Sequence, residues 1–213
     1  MKTNNFNFFG TLKAFALIAT ISIGTISCDN EELDGMNDTN SSTVALENNF
    51  SSVSRSTKAA PAPGTQSIAA IAIDAKFTEL VGALVYVDGK LGTKLVDMFL
   101  NGKDQYTVFA PTNDAFKNLY TTLGVGGITE LDATLVLNVL QYHVVEGRRA
   151  ANSVVPMSGS RQITTLLGAG FSVDKKGMIT AVGNTATITT ANISASNGII
   201  HVVDSVLLPI KIK

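Results

Sequence analysis

From Ser67 to the C-terminus the apolar residues follow two rhythms in turn, helical first and extended later. Ile68, Ile71, Ala72 and Ala75 recur at the spacing of one helix face, and Phe77, Leu80, Val81, Leu84 and Val85 continue that period. The Asp88-Gly89 pair is expected to break the chain; Leu91, Leu95, Met98 and Phe99 then mark a third helix, stopped by Gly102. Thr107, Val108 and Phe109 are strand formers, and Pro111 ends the strand because it has no N–H for a ladder. Thr112 or Asn113 is expected to cap the next helix, with Asp114 at its positive end and Phe116, Leu119, Tyr120 and Leu123 as its apolar stripe. Asp132 caps a further helix whose buried face is Leu135, Val136, Val139 and Leu140, with His143 at the end of that stripe. Beyond Gly147 the pattern is extended. Strands are predicted at 153–155, 161–167, 170–174, 178–182, 185–193 and 198–206, with Asn197-Gly198 as the strongest hairpin signal and Pro209 closing the last segment.

Upstream of Ser67 the rhythm is lost. From Asp29 to about Gly64, Asn, Ser and Thr dominate, apolar residues are isolated, and AAPAPG at 59–64 closes the stretch. Such a segment cannot bury enough apolar surface to offset its chain entropy, so residues 28–66 are expected to form a flexible tether. Before it, Lys2 and Lys13 supply positive charge, residues 14–27 are apolar or small, and no acid precedes Asp29. That pattern is an export signal over residues 1–27; a buried core helix is the other reading. No run of about 18 apolar residues is present, so a permanent membrane span is not expected. Charge adds little: a net charge of −1 and a pI near 6.1 give no basic excess for nucleic acid.

The single cysteine, Cys28, has no disulfide partner in the chain, and one Cys with two His cannot build a usual zinc site. Residues 25–28, TISC, resemble the lipobox of bacterial lipoproteins, with Ser27 before the cysteine and Thr25 where leucine is usual. The resemblance implies that Cys28 becomes the mature N-terminus and carries acyl chains. Several chains on one terminus hold a domain at a membrane firmly, where one chain binds marginally. The alternative is ordinary secretion with a free thiol. Asp29, Glu31 and Glu32 resemble the acidic signal that follows the lipidated cysteine in surface lipoproteins of Bacteroidetes-type bacteria, or form a solvated spacer.

Four blocks, YTVFAPTNDAF at 106–116, YHVV at 142–145, TTLLG at 164–168 and SNGIIHVVDSVLLP at 196–209, resemble the fasciclin-like domain. The resemblance covers about 67–209, and a domain at 67–213 is expected. It implies an α+β fold: a β-sandwich or wedge of about seven strands with several helices packed on one edge. It also implies an adhesion role outside the cell, with matrix protein, glycan or another cell-surface protein as partner and the outer membrane as location through the lipid anchor. In animal matrix members the Tyr-His segment is implicated in adhesion, which places Tyr142 and His143 among the candidate interaction residues. No Arg-Gly-Asp occurs.

Candidate chemistry is thin. His143 and His201 both lie in apolar surroundings and are expected to be core histidines satisfied by hydrogen bonds. No G-x-S-x-G, G-x-x-x-x-G-K-[ST] or G-x-G-x-x-G occurs, so no catalytic residues, no cofactor and no metal site are assigned. Asp204 is a pairing or turn group. Arg148 and Arg149 follow the Tyr-His segment, either as a solvated turn or as a contact patch for acidic glycans or carboxylates, since arginine makes planar two-point contacts. Two functional classes result: a non-catalytic surface-anchored interaction module, and a periplasmic or outer-membrane small-ligand-binding protein or envelope enzyme. A deep apolar pocket with converging polar groups would mark the second.

Overall fold

A computed structural model describes residues 60–211; the export signal, Cys28 and the tether up to residue 59 lie outside the described residues. The helical half begins with α1 (Ile68–Asp74), capped by the Ser67 hydroxyl, which accepts from the Ala70 N–H at 3.3 Å. Next, α2 (Thr78–Leu91) runs straight through Asp88-Gly89 and stops only at Gly92, which takes the left-handed C-cap conformation. Its buried face is Leu80, Ala83, Leu84 and Val87, while Val85 lies on the far side and is exposed.

Asp88 has a different task from the predicted break. Its carboxylate accepts from the Leu95 N–H at 2.7 Å, the Val96 N–H at 2.9 Å and the Thr93 hydroxyl. It thereby caps α3 (Leu95–Asn101) from the preceding helix, in place of Lys94, whose side chain caps nothing. Partial burial pushes the Asp88 pKa up, but the three bonds outweigh it and hold the group below its ordinary value.

Strand β1 (Tyr106–Pro111) leads into α4 (Asn113–Leu123), capped by Thr112. Asn113 instead joins the helices: its side chain accepts from the Glu79 N–H at 3.1 Å and donates to the Lys76 carbonyl at 2.9 Å. Asp132 caps α5 (Ala133–Tyr142) as expected, accepting from Leu135 N–H at 2.9 Å. Strand β2 (Val144–Glu146) follows at once. Residues 153–155 do not form a strand: Ala151–Val154 make a single helical turn, α6, that drops Val154 into the core. The turn is held by the Asn192 side chain, which accepts from the Ala151 N–H at 2.8 Å. The remaining strands are β3 (Ser160–Thr164), β4 (Gly170–Asp174), β5 (Met178–Thr180), β6 (Thr185–Ala195) and β7 (Gly198–Val203).

The seven strands are ordered β2-β1-β7-β6-β5-β4-β3. All pairings are antiparallel except β1 with β7, which is parallel with Phe109 opposite His201. In this order β1 and β4 stand four places apart, about 19 Å in a flat sheet. Yet the Phe109 and Phe171 rings meet edge to face with centroids 5.0 Å apart. The ladder therefore folds over on itself, and the bend falls at the bulges of β6 between Ile188 and Ile193. This is the α+β wedge that the resemblance implied.

The fold creates two cores. One lies between the helices and the outer face of β1, β2 and β7, with Val108, Val144 and Ile200 opposite Leu80, Leu84 and Leu140. The other fills the wedge with Phe109, Tyr142, Ile163, Phe171, Ile179 and Val203. Every residue of β7 is buried because both faces are covered.

Candidate functional site

Tyr142 and His143 close α5, and the chain turns there from helix to strand. Consecutive residues at that corner point to opposite cores. Tyr142 enters the wedge, fully buried, with its hydroxyl donating to the Gly170 carbonyl at 2.7 Å and its ring edge-to-face with Phe171. His143 is 2% exposed and lies on the helical side. Its Nδ1 sits 2.7 Å from the Val139 carbonyl, and its Nε2 lies 2.8 Å from the Leu207 nitrogen. A carbonyl can only accept and an amide N–H can only donate. The ring is therefore the neutral Nδ1–H tautomer, tying α5 to the C-terminal segment.

His201, fully buried in β7, carries the opposite tautomer by the same logic. Its Nε2–H donates to the Arg149 carbonyl at 3.0 Å, and its Nδ1 accepts from the Asn192 N–H at 3.3 Å. Asn192 sits at positive φ in the β6 bulge, so the histidine also steadies the bend.

Burial pushes the pKa of His143 down from 6.5 to about 4, its bond to Val139 acting weakly the other way, and burial lowers His201 likewise. The unfolded chain protonates His143 near pH 6.5 and the folded chain does not until near 4. The His143 contribution to stability is therefore full above 6.5 and falls as pH drops through that window, at about 1.4 kcal/mol per pH unit, and His201 acts with the same sign. Urea midpoints at about pH 7.5 and about pH 5 should show the drop, and His143→Gln should flatten its slope. An unchanged slope in that variant would remove His143 from the account.

The two arginines of the candidate patch part company. Arg148 turns inward and spends its guanidinium on backbone carbonyls, among them Ala195 at 2.9 Å. Arg149 stays on the half-exposed loop after the edge strand β2. Its Nε donates to the Glu146 carbonyl at 3.3 Å, and no partner among the described residues binds its terminal nitrogens. Of the four candidates, then, Arg149 alone offers free hydrogen-bonding groups to a partner. Any part played by Tyr142 and His143 passes through the shape they impose on this corner. Asp204 closes the β6–β7 pairing, accepting from Thr187 N–H at 2.7 Å.

Two apolar cavities flank His143, one of about 50 Å³ among α1, α2, α3 and α5 and one of about 70 Å³ among α2, α4, α5 and the C-terminal segment. Ligand pockets run to about 300–1,000 Å³ with a few converging polar groups. These are far smaller, and His143, the one buried ionisable group lining them, has both ring nitrogens already bonded. Among the described residues no three His, Cys, Asp or Glu side chains come together to hold a metal ion, and no helix is long and apolar enough to cross a membrane.

Comparison with known proteins gives a match to the model of the Fasciclin domain over residues 75–209. The chain is 38% identical over 135 residues to the immunogenic protein MPB70 of Mycobacterium bovis, covering 62% of this chain and 64% of that protein. It is 35% identical over 127 residues to the cell surface glycolipoprotein MPB83 of the same species, covering 58% and 52%. It is 33% identical over 110 residues to the transforming growth factor-beta-induced protein ig-h3 of Sus scrofa, covering 52% of this chain but 15% of that protein. The matched part thus spans less than two thirds of the length of these relatives.

Proposed function

Because the chain belongs to the Fasciclin domain family, we propose that it is a non-catalytic interaction module, held on the outer membrane by lipid on Cys28 and displayed outward on the segment that follows it. Its partner is a matrix protein, a glycan or another cell-surface protein with acidic groups. The observation that carries this reading is the division of labour at the Tyr142–Arg149 corner. Its histidine is neutral, buried and fully bonded, while Arg149 remains free at the edge of the sheet. A guanidinium there suits planar carboxylates and sulfates. The name of MPB83, a cell surface glycolipoprotein, supports a lipid-borne location by likeness. A small-ligand carrier is the weaker reading, given the size and lining of the two cavities.

The test is adhesion. Cells displaying the wild-type chain should attach to surfaces coated with sulfated glycan or matrix protein, and Arg149→Glu should reduce attachment several-fold with the domain still folded. Equal attachment by cells lacking the protein would sink the proposal.

A further inference from the structure

Arg148 is the most heavily bonded side chain among the described residues, and what it holds is the incoming chain. Its Nη1 donates to the carbonyls of Ala195, at 2.9 Å, and of Gly198. Its Nη2 donates to the carbonyls of Pro61 and Ala62, both at 3.1 Å, and to the Ser194 hydroxyl. The Ser194 hydroxyl in turn donates a hydrogen bond to the Ala62 carbonyl. Backbone bonds continue the seam: Gly64 N–H to the Ala195 carbonyl at 3.2 Å, and Ser196 N–H to the Gln66 carbonyl at 2.7 Å. Gly64 lies so close to Ser194 that any side chain there would overlap its carbonyl. Residues 61–66, the last of the expected tether, are thus docked on the β6–β7 hairpin.

We propose that Arg148 is a latch that fixes residues 61–66 to the β6–β7 hairpin, so that the folded domain begins at Pro61 and not at Ser67. The physical reasons are local. Pro61 and Pro63 restrict the backbone and remove two N–H groups, leaving carbonyls that need donors. A guanidinium carries five donors in a rigid fork and can serve both sides of the seam at once. Lysine, a single point charge, cannot span four carbonyls and a hydroxyl. The inference holds whether or not Cys28 carries lipid.

The experiment is hydrogen–deuterium exchange on the full chain, comparing wild type with Arg148→Gln, Arg148→Lys and Ser194→Ala. The Gly64 and Ser196 amides should exchange about tenfold faster or more in both arginine variants, and less so in Ser194→Ala. Amides of β3 and β4, remote from the seam, should keep their protection. Unchanged exchange at Gly64 and Ser196 would overturn the latch. So would an equal rise at every amide, because Arg148 would then serve the whole fold and not the junction.

Discussion

His143→Ala is expected to cost the domain about 3–5 kcal/mol, a fall in melting temperature of roughly 10 °C. Three losses add. The imidazole leaves a void that joins the two small cavities beside it. The Leu207 N–H loses its acceptor in a buried place. The Val139 carbonyl loses its donor at the last turn of α5. Thermal and urea unfolding of the variant check this, and a change under about 1 kcal/mol would show that the bonds to Val139 and Leu207 are not both present. The result bears on function. A Tyr142 or His143 variant that loses adhesion also loses packing, so attachment assays on such variants report the fold first. Tyr142→Phe separates the two, because it removes only the hydroxyl bonded to Gly170 and should cost about 1 kcal/mol.

Gly198→Val should do as much damage or more, about 4 kcal/mol, with insoluble protein as the common outcome. Gly198 opens β7 directly opposite Tyr106 in the parallel pair with β1. A Cβ there would overlap the Tyr106 carbonyl oxygen and come within 2.8 Å of Ile68 Cδ1. Strands β1 and β7 would have to separate at the point where they meet the helices. Gly198→Ala should follow in the same direction with a smaller effect. Soluble Gly198→Val protein with wild-type unfolding behaviour would refute the parallel contact.

That glycine also shows where sequence reasoning stops. Asn197-Gly198 located the hairpin, but for a reason the structure does not use. Neither residue is at positive φ, the strands meet at Ala195 and Gly198, and the glycine is required by close approach. Asn197 is needed for its side chain, which accepts from the Ile68 N–H at 2.8 Å and donates to the Phe99 carbonyl at 2.9 Å. What was legible was local: the helix faces, the caps Thr112 and Asp132, and the burial of both histidines. Each depends on neighbours within a few residues. The parallel β1–β7 pairing joins segments about ninety residues apart. The fold of the sheet over itself depends on bulges in β6 that its Thr-rich composition does not mark. Asp88 was legible as a turn residue because it is one by propensity; the helix it caps lies beyond the turn. At the site, the Tyr-His pair was visible as a motif, but its inward direction follows from α5 ending at the seam between two cores. Arg148 and Arg149 are adjacent and alike in sequence, and what tells them apart is the set of distant acceptors around Arg148: the Pro61, Ala62, Ala195 and Gly198 carbonyls and the Ser194 hydroxyl.

This domain is proposed to act outside the cell while fixed to it. Protease shaving of intact native cells, with the 67–213 domain followed by immunoblot and Cys28→Ala as control, addresses this most directly. The account predicts that the wild-type domain is lost from intact cells and that the Cys28→Ala chain leaves the membrane fraction. Protection of the domain until the outer membrane is broken would contradict surface display and move the partner into the periplasm.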